Sequence, residues 1–435
     1  MRLFSTIGRR KIPAHKKESI AREPLVIDIQ KVKFVYFPLV AGNNAVCEPL
    51  VKVGDKVKVG TRIAFRQQFS VPLFSSVSGV VMAIEKRFNI ITGRPCDHLV
   101  IANDFKMERE APLSVVALDA PKEHIVEAIK EAGIVGLGGA GFPTWIKYNN
   151  VKGIHTVVIN AVECEPYLTT DYTLTKKYAQ KIVTGARYLQ KAVEAPNIVI
   201  AIKEHKEAAR DALIEASKDL PEIAIVEVPD RYPMGWEATL IFELFKKRYN
   251  RLPSEIGVIV NNSTTAIAVC DALTEGHVVT ERLVTVSGNV VKNPGNIFVP
   301  VGTLAEVVLK EFEIDDSKEF NLLPGGPMTS NAAKDANFAL QSNHGGLTLL
   351  EKVKFRTIPC LRCGACTANC PAGIQPVEIM RAFEARDYVR LEKLETMRCV
   401  DCGLCSYVCP SNIEVTDFMK KAKTILRVNQ QAGKK

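Results

Sequence analysis

Cys360-Leu361-Arg362-Cys363-Gly364-Ala365-Cys366-Thr367-Ala368-Asn369-Cys370-Pro371 returns further along the chain as Cys399-Val400-Asp401-Cys402-Gly403-Leu404-Cys405-Ser406-Tyr407-Val408-Cys409-Pro410. Both runs read Cys-x-x-Cys-x-x-Cys-x-x-x-Cys-Pro. Zinc ribbons use two Cys-x-x-Cys pairs, not two runs of four ending in Cys-Pro. The spacing is instead that of two 4Fe–4S cubanes. Three thiolates on one tight turn grip three irons, and the fourth cysteine, beside proline, ligates the other cluster. By that rule Cys360, Cys363, Cys366 and Cys409 hold one cluster, and Cys399, Cys402, Cys405 and Cys370 hold the second. Gly364 and Gly403 fall where backbone must pass close to sulfur.

Outward from this window the chain is less dense in cysteine. Eight of its twelve cysteines lie between Cys360 and Cys409, in 435 residues. A secreted disulfide scaffold would be short and cysteine-rich throughout. Cys47, Cys96 and Cys270 read as small buried hydrophobes. The length predicts several domains rather than one core. Hydrophobic residues make up 47% and charged residues 24%, which excludes a disordered, collagenous or coiled-coil chain. No apolar run approaches the ~20 residues of a membrane span; the best, 256–270, is broken by Asn261, Asn262, Ser263, Thr264 and Thr265. Arg2, Arg9, Arg10, Lys11, Lys16, Lys17 and Arg22 precede no apolar core, so a secretory signal is not expected. The formal net charge is +9. Without interleaved aromatics or a DNA-binding pattern, it predicts docking to an acidic partner or membrane complex rather than nucleic acid.

Four modules follow from the patterning. In 1–110, Val51 to Gly60 reads as strand, turn, strand, and Val77-Ser78-Gly79-Val80-Val81 as a second hairpin. This resembles the barrel-sandwich fold of biotinyl and lipoyl carriers, but the expected tip, Ser78-Gly79, has no lysine for a swinging arm. Strands and helices alternate through 111–280, which predicts an α/β sheet covered on both faces. A small α+β module spans 281–350, with 283–291 pairing across Pro294-Gly295 to 297–301. The cysteine domain occupies 351–435, with helical spacing over 377–396 and an amphipathic helix from about Thr416 to Asn429.

Gly136-Leu137-Gly138-Gly139-Ala140-Gly141 matches G-x-G-x-x-G, but a helix precedes it where a dinucleotide fingerprint needs a strand. The glycines suit either an anion held by backbone N–H groups or a tight packing turn. The longer string through Phe142-Pro143-Thr144 and Lys147 resembles the FMN loop of the NADH-oxidising flavoprotein subunit of respiratory complex I. Asn160-Ala161-Val162-Glu163-Cys164-Glu165-Pro166, the segment around Glu237, and Val260-Asn261-Asn262 resemble that family's later motifs. Leu137 and Val162 depart from it, replacing an arginine and an aspartate.

The whole order, barrel-sandwich module, flavin domain, small SLBB-like (β-grasp-like) module and two-cluster ferredoxin domain, resembles the RnfC family, which belongs to the Rnf ion-translocating ferredoxin:NAD oxidoreductase complexes. The resemblance implies two 4Fe–4S clusters, FMN and NAD(H). It implies FMN contacts from Gly136, Gly138, Gly139, Ala140, Gly141, Phe142, Lys147, Asn160, Glu237, Asn261 and Asn262. It places Glu163 and Glu165 at the flavin or nicotinamide as catalytic candidates, with a strand-end ion pair as the alternative. Cys164, between two acids, is not expected to be a nucleophile. The implied partners are membrane subunits and a ferredoxin-like iron–sulfur subunit, with ferredoxin reached indirectly, and the implied place is the cytoplasmic face of the membrane, peripherally. The rival readings are a soluble NADH-dependent reductase, such as a cobalamin reductase, and a non-enzymatic electron relay.

Overall fold

A computed structural model describes residues 10–41 and 45–432. Its centre is a parallel four-stranded sheet in the order Ile223–Val228, Asn197–Lys203, Thr156–Ala161, Val258–Asn262. The β-branched run in the third of these explains why it lies inside. Val157 and Ile159 point into one core with Ile129, Ile182 and Leu189, and Val158 points into another with Leu240 and Val258. A strand buried on both faces needs apolar residues at successive positions. Helices Lys122–Glu131, Ala179–Lys191 and Ser263–Glu275 cover the larger core. The last two pack closely because Gly185 has no side chain; a Cβ there would run into the Ala266 carbonyl.

The N-terminal module is two small sheets. One runs Phe34–Pro38, Arg94–Asn103, Gly79–Asn89, Lys56–Val57, and the other Cys47–Pro49, Arg62–Arg66, Val71–Phe74. Two local expectations are corrected. Ser78-Gly79 is no exposed tip: Ser78 is buried, its Oγ donates to Asp104 Oδ1 at 2.6 Å, and Gly79 is pressed against the Ala102 carbonyl. The true hairpin turn is at 89–94, where Asn89 Oδ1 accepts from the Ile91 N–H. Within 51–60 only Lys56–Val57 pairs as strand, because Gly54 and Gly60 turn the chain at positive φ.

The third module is a five-stranded sheet, ordered Leu25–Val26, Gly295–Pro300, Glu281–Ser287, Gly346–Glu351, Phe320–Leu323. Its first strand comes from the N-terminal arm and pairs in parallel with Ile297 and Phe298. The barrel and this sheet also share one core, in which Val35, Val81 and Ile101 pack with Val284, Val299 and Leu347. In the cysteine domain the 377–396 helix is two, Pro376–Glu384 and Tyr388–Lys393, broken where Arg386 takes a positive φ. The C-terminal helix, Val415–Ala432, packs on them through Met419, Ala422 and Leu426.

Replacing Gly185 with leucine should separate the two packed helices, at a cost of about 3 kcal/mol. A clear drop in thermal midpoint, with loss of bound flavin, is the expected readout; an unchanged midpoint would contradict the close packing.

Candidate functional site

Parallel α/β sheets bind ligands outside the carboxyl ends of their strands, where the strand order reverses. Here the order reverses between Thr156–Ala161 and its neighbour Val258–Asn262. The motifs around Asn160 and Asn262 are far apart in sequence, yet these two asparagines are register partners at that crevice. The glycine loop closes it from above. Gly138, Gly139 and Ala140 border the crevice, all three exposed, and Gly138 lies so close to Asn262 that a Cβ would come within 2.5 Å of its Nδ2.

Lys147 sits on the five-residue helix Thr144–Tyr148 and donates to the Val260 carbonyl at 2.8 Å. Burial holds its ammonium below the usual lysine range, and Glu237 pulls the other way. Glu237 itself accepts from the Tyr249 hydroxyl at 3.0 Å. Two buried hydroxyls at helix starts, Thr144 Oγ1 and Ser263 Oγ, have no hydrogen-bond partner among the described residues. A part-buried cation, glycine amides at the crevice and orphan hydroxyls fit a phosphate-bearing ligand such as FMN.

The remaining candidates are tied into the protein. Asn160 Nδ2 donates to the Gly235 carbonyl and its Oδ1 accepts from Val162 N–H. Asn261 Nδ2 donates to the Tyr148 hydroxyl. Asn262 Oδ1 caps the helix Ser263–Glu275 through Thr264 N–H at 2.9 Å, and its Nδ2 donates to Asp171 Oδ2 at 2.8 Å. Glu163 is ion-paired with Lys16 at 3.3 Å and accepts from the Asp171 N–H at 3.0 Å. Glu165 accepts from the Met328 N–H at 3.1 Å and the Thr329 hydroxyl at 2.6 Å, and burial raises its carboxyl above the usual range. Phe142 is exposed and meets Phe69 of the barrel at 5.9 Å between ring centroids. Leu137 and Val162 both point into cores, away from the crevice. Burial and Glu165 push the Cys164 thiol up to about 11, so it is no thiolate at neutral pH.

The cysteines converge in the crossed sets. Cys360, Cys363, Cys366 and Cys409 line one cavity, and Cys370, Cys399, Cys402 and Cys405 line another. Among the described residues no three His, Cys, Asp or Glu side chains close on a single-ion point. The second set faces the flavin domain. Tyr232 is fully buried between them, its hydroxyl donating to the Cys402 carbonyl at 2.5 Å, and Trp236, Cys164 and Met328 pack in the same seam. The first set faces outward, with Cys363 exposed.

Sequence reasoning missed the residues that brace the loop. Arg282 is buried and donates to the carbonyls of Leu137 and His344. Asn343 Nδ2 donates to the Gly139 carbonyl at 2.9 Å, and Thr265 Oγ1 accepts from Leu137 N–H at 3.0 Å. All three are far from the loop in sequence, with no spacing signal to link them. Nor did spacing link the basic N-terminal run to the site, where Lys16 is buried on Glu163 and His15 stacks on Tyr167 at 4.7 Å. Arg2 and Arg9 of that run lie outside the described residues.

The fold and site define an electron-transfer protein with a flavin-binding α/β domain and an iron–sulfur domain. Family profiles agree: "RnfC barrel sandwich hybrid domain" matches 9–106, "Nuo51 FMN-binding domain" 129–271 and "4Fe-4S dicluster domain" 359–413. The chain is 32% identical to the subunit lettered C of the Na(+)-translocating ferredoxin:NAD(+) oxidoreductase complex of Acetobacterium woodii, covering 84% of this chain and 85% of that one. It is 30% identical to the proton-translocating counterpart of Clostridium ljungdahlii, over 84% and 81% of the two chains. Against the same-lettered subunit of the ion-translocating oxidoreductase complex of Vibrio cholerae it is 30% identical over 88% of its own length and 51% of that longer chain. Among solved structures, an NAD+-reducing [NiFe]-hydrogenase in the H2-reduced state aligns at 21% identity and a TM-score of 0.48, over 72% of this chain and 62% of that one, too remote to carry an argument. The chain belongs to the RnfC family of ion-translocating oxidoreductase complexes.

His344 anchors the brace. Its Nδ1 accepts from Gln341 N–H at 3.0 Å, which requires the neutral ring, and burial together with Arg282 pushes its pKa down to about 4. A histidine depressed from 6.5 contributes stability that is complete above about pH 6.5 and is lost as pH falls toward 4, roughly 3 kcal/mol in all. Thermal midpoints of wild type and His344→Gln should therefore converge as pH drops from 7 to 4.5. Parallel curves would refute the buried neutral ring.

Proposed function

We propose that the chain is the peripheral NAD(H)-reacting subunit of a membrane-bound ferredoxin:NAD oxidoreductase complex. The observation that carries this reading is the placement of the Cys370/Cys399/Cys402/Cys405 set against the flavin domain through Tyr232, with the other set outermost. A bound flavin supplies the exchange between hydride pairs and single electrons that nicotinamide and iron–sulfur clusters cannot make directly. The chain's own residues bind and orient. Amides of Gly138, Gly139, Ala140 and Gly141 with Lys147 take the phosphate, Gly136 closes the loop by donating its own N–H to the Phe142 carbonyl at 2.8 Å, and Phe142 offers a face at the mouth. Asn160, Asn261 and Asn262 set the strand ends, with Glu237 beside Lys147. Glu163 and Glu165 hold the crevice wall through their ties to Lys16 and to the 326–329 loop. Their part is positional, since hydrogen bonds already engage both carboxylates.

Among the described residues no helix is long and apolar enough to cross a membrane; the place on the cytoplasmic face, peripheral and held by neighbouring subunits, is part of the proposal and rests on the family reading. Beside the outward cysteine set, Val353, Phe355 and Leu361 are exposed amid Lys352, Lys354, Arg356 and Arg362. An apolar patch ringed by cations suits an acidic ferredoxin-like iron–sulfur partner.

Anaerobic NADH titration of the purified protein should bleach a flavin spectrum and then raise cluster spin signals. A brown protein with clusters, no FMN and no NADH response would leave only the relay reading, and full activity without membrane subunits would favour a soluble reductase. Lys147→Ala should lower copurifying FMN about tenfold with cluster content unchanged. The double reversal Lys354→Glu, Arg356→Glu should slow reduction by an acidic ferredoxin about tenfold at low salt, and the deficit should vanish at high ionic strength. A salt-independent deficit, or none, would remove this face as the docking site.

A further inference from the structure

Away from the crevice, the barrel, the flavin domain and the third module meet around a cavity of about 140 Å³. Phe37, Leu73 and Phe74 of the barrel form one wall, Val135 and Leu137 a second, and Leu340 a third, with 341–343 at the side. These walls are apolar, and one charged side chain stands among them. Arg66, the last residue of the strand Arg62–Arg66, lines the cavity and is only 7% exposed. Its Nε and Nη2 are buried and have no hydrogen-bond partner, and it forms no ion pair among the described residues. Its register partner Cys47 is no anion, because burial pushes that thiol up to about 11.

An unpaired guanidinium in an apolar wall is costly, since a buried charge is normally paired and hydrogen-bonded. A lysine or methionine would fill the same strand position without five fixed donors. A guanidinium presents parallel N–H groups that match a carboxylate in bidentate fashion. One cation balances one negative charge, and the remaining walls favour an apolar body.

We propose that this cavity binds a small apolar carboxylate, its head on Arg66 and its body among Leu73, Phe74, Val135 and Leu340. The site is separate from the strand-end crevice, although Leu137, Ala140 and Gly141 of the glycine loop also line it. It does not depend on the reading of the flavin site.

The test is calorimetry on the full holoprotein with octanoate, octanol and inorganic phosphate as probes. Octanoate should bind saturably and raise the thermal midpoint. Octanol, with no charge, and phosphate, with no apolar body, should bind at least tenfold more weakly. Arg66→Met should lose octanoate binding at least tenfold and, without octanoate, unfold at a higher temperature than wild type, since the unpaired charge is gone. Leu73→Trp keeps Arg66 but fills the cavity, and it should lose binding equally if Arg66→Met does not fold. Absence of saturable octanoate binding would overturn the proposal, as would binding that survives both substitutions. Equal binding of phosphate would overturn the apolar part of it.

Discussion

The amide of Asn262 ends the strand Val258–Asn262, caps the following helix through Thr264, and donates to Asp171 across the crevice. It also fills the space that Gly138 leaves by having no Cβ. A part-buried amide must satisfy both its oxygen and its nitrogen, so its position is dictated from several directions at once. Asp171 in turn donates its own N–H to Glu163, and Glu163 is paired with Lys16. Burial and the nearby Glu163 raise the Asp171 carboxyl, while Arg282, Asn262 and Thr264 oppose them. The network therefore ties glycine loop, strand ends, acidic segment and N-terminal arm into one rigid unit.

That unit is braced from outside the flavin domain. The third module reaches the glycine loop with Arg282 and Asn343, and the 326–329 loop both receives Glu165 and touches Gly403 of the cysteine domain. The arm from 10 to 26 bridges Tyr232 through Arg10, packs Ile12 beside Leu404 and Cys402, and ends as a strand of the third sheet. These long-range ties join the modules, and the inner cysteine set packs against the flavin domain through Tyr232.

Much of this was legible in the residues. The cysteine spacing specified the two crossed sets, and the same cysteines line two separate cavities. The loop through Gly141, Lys147, Asn160 and Asn262 also falls at one crevice. Local patterning was less reliable wherever glycine or burial intervened. Ser78-Gly79 looked like a tip because its neighbours alternate, but Ser78 is buried on Asp104. The 377–396 segment kept helical spacing through Arg386, where the chain nevertheless turns. No pattern in the residues joined Lys16 to its partner Glu163, which lies 147 residues away.

The sequence by itself determined the two spaced cysteine runs, the alternation of strands and helices and the place of the glycine loop between two helices, because each rests on spacing along a local stretch of backbone. Only the tertiary structure decided which cysteine set faces the flavin domain, that the barrel and third module share one core, and that Arg66 stands unpaired among apolar walls. Those facts depend on contacts between distant segments, and the free energy of such contacts comes from burial and paired charge, which carry no period in the sequence.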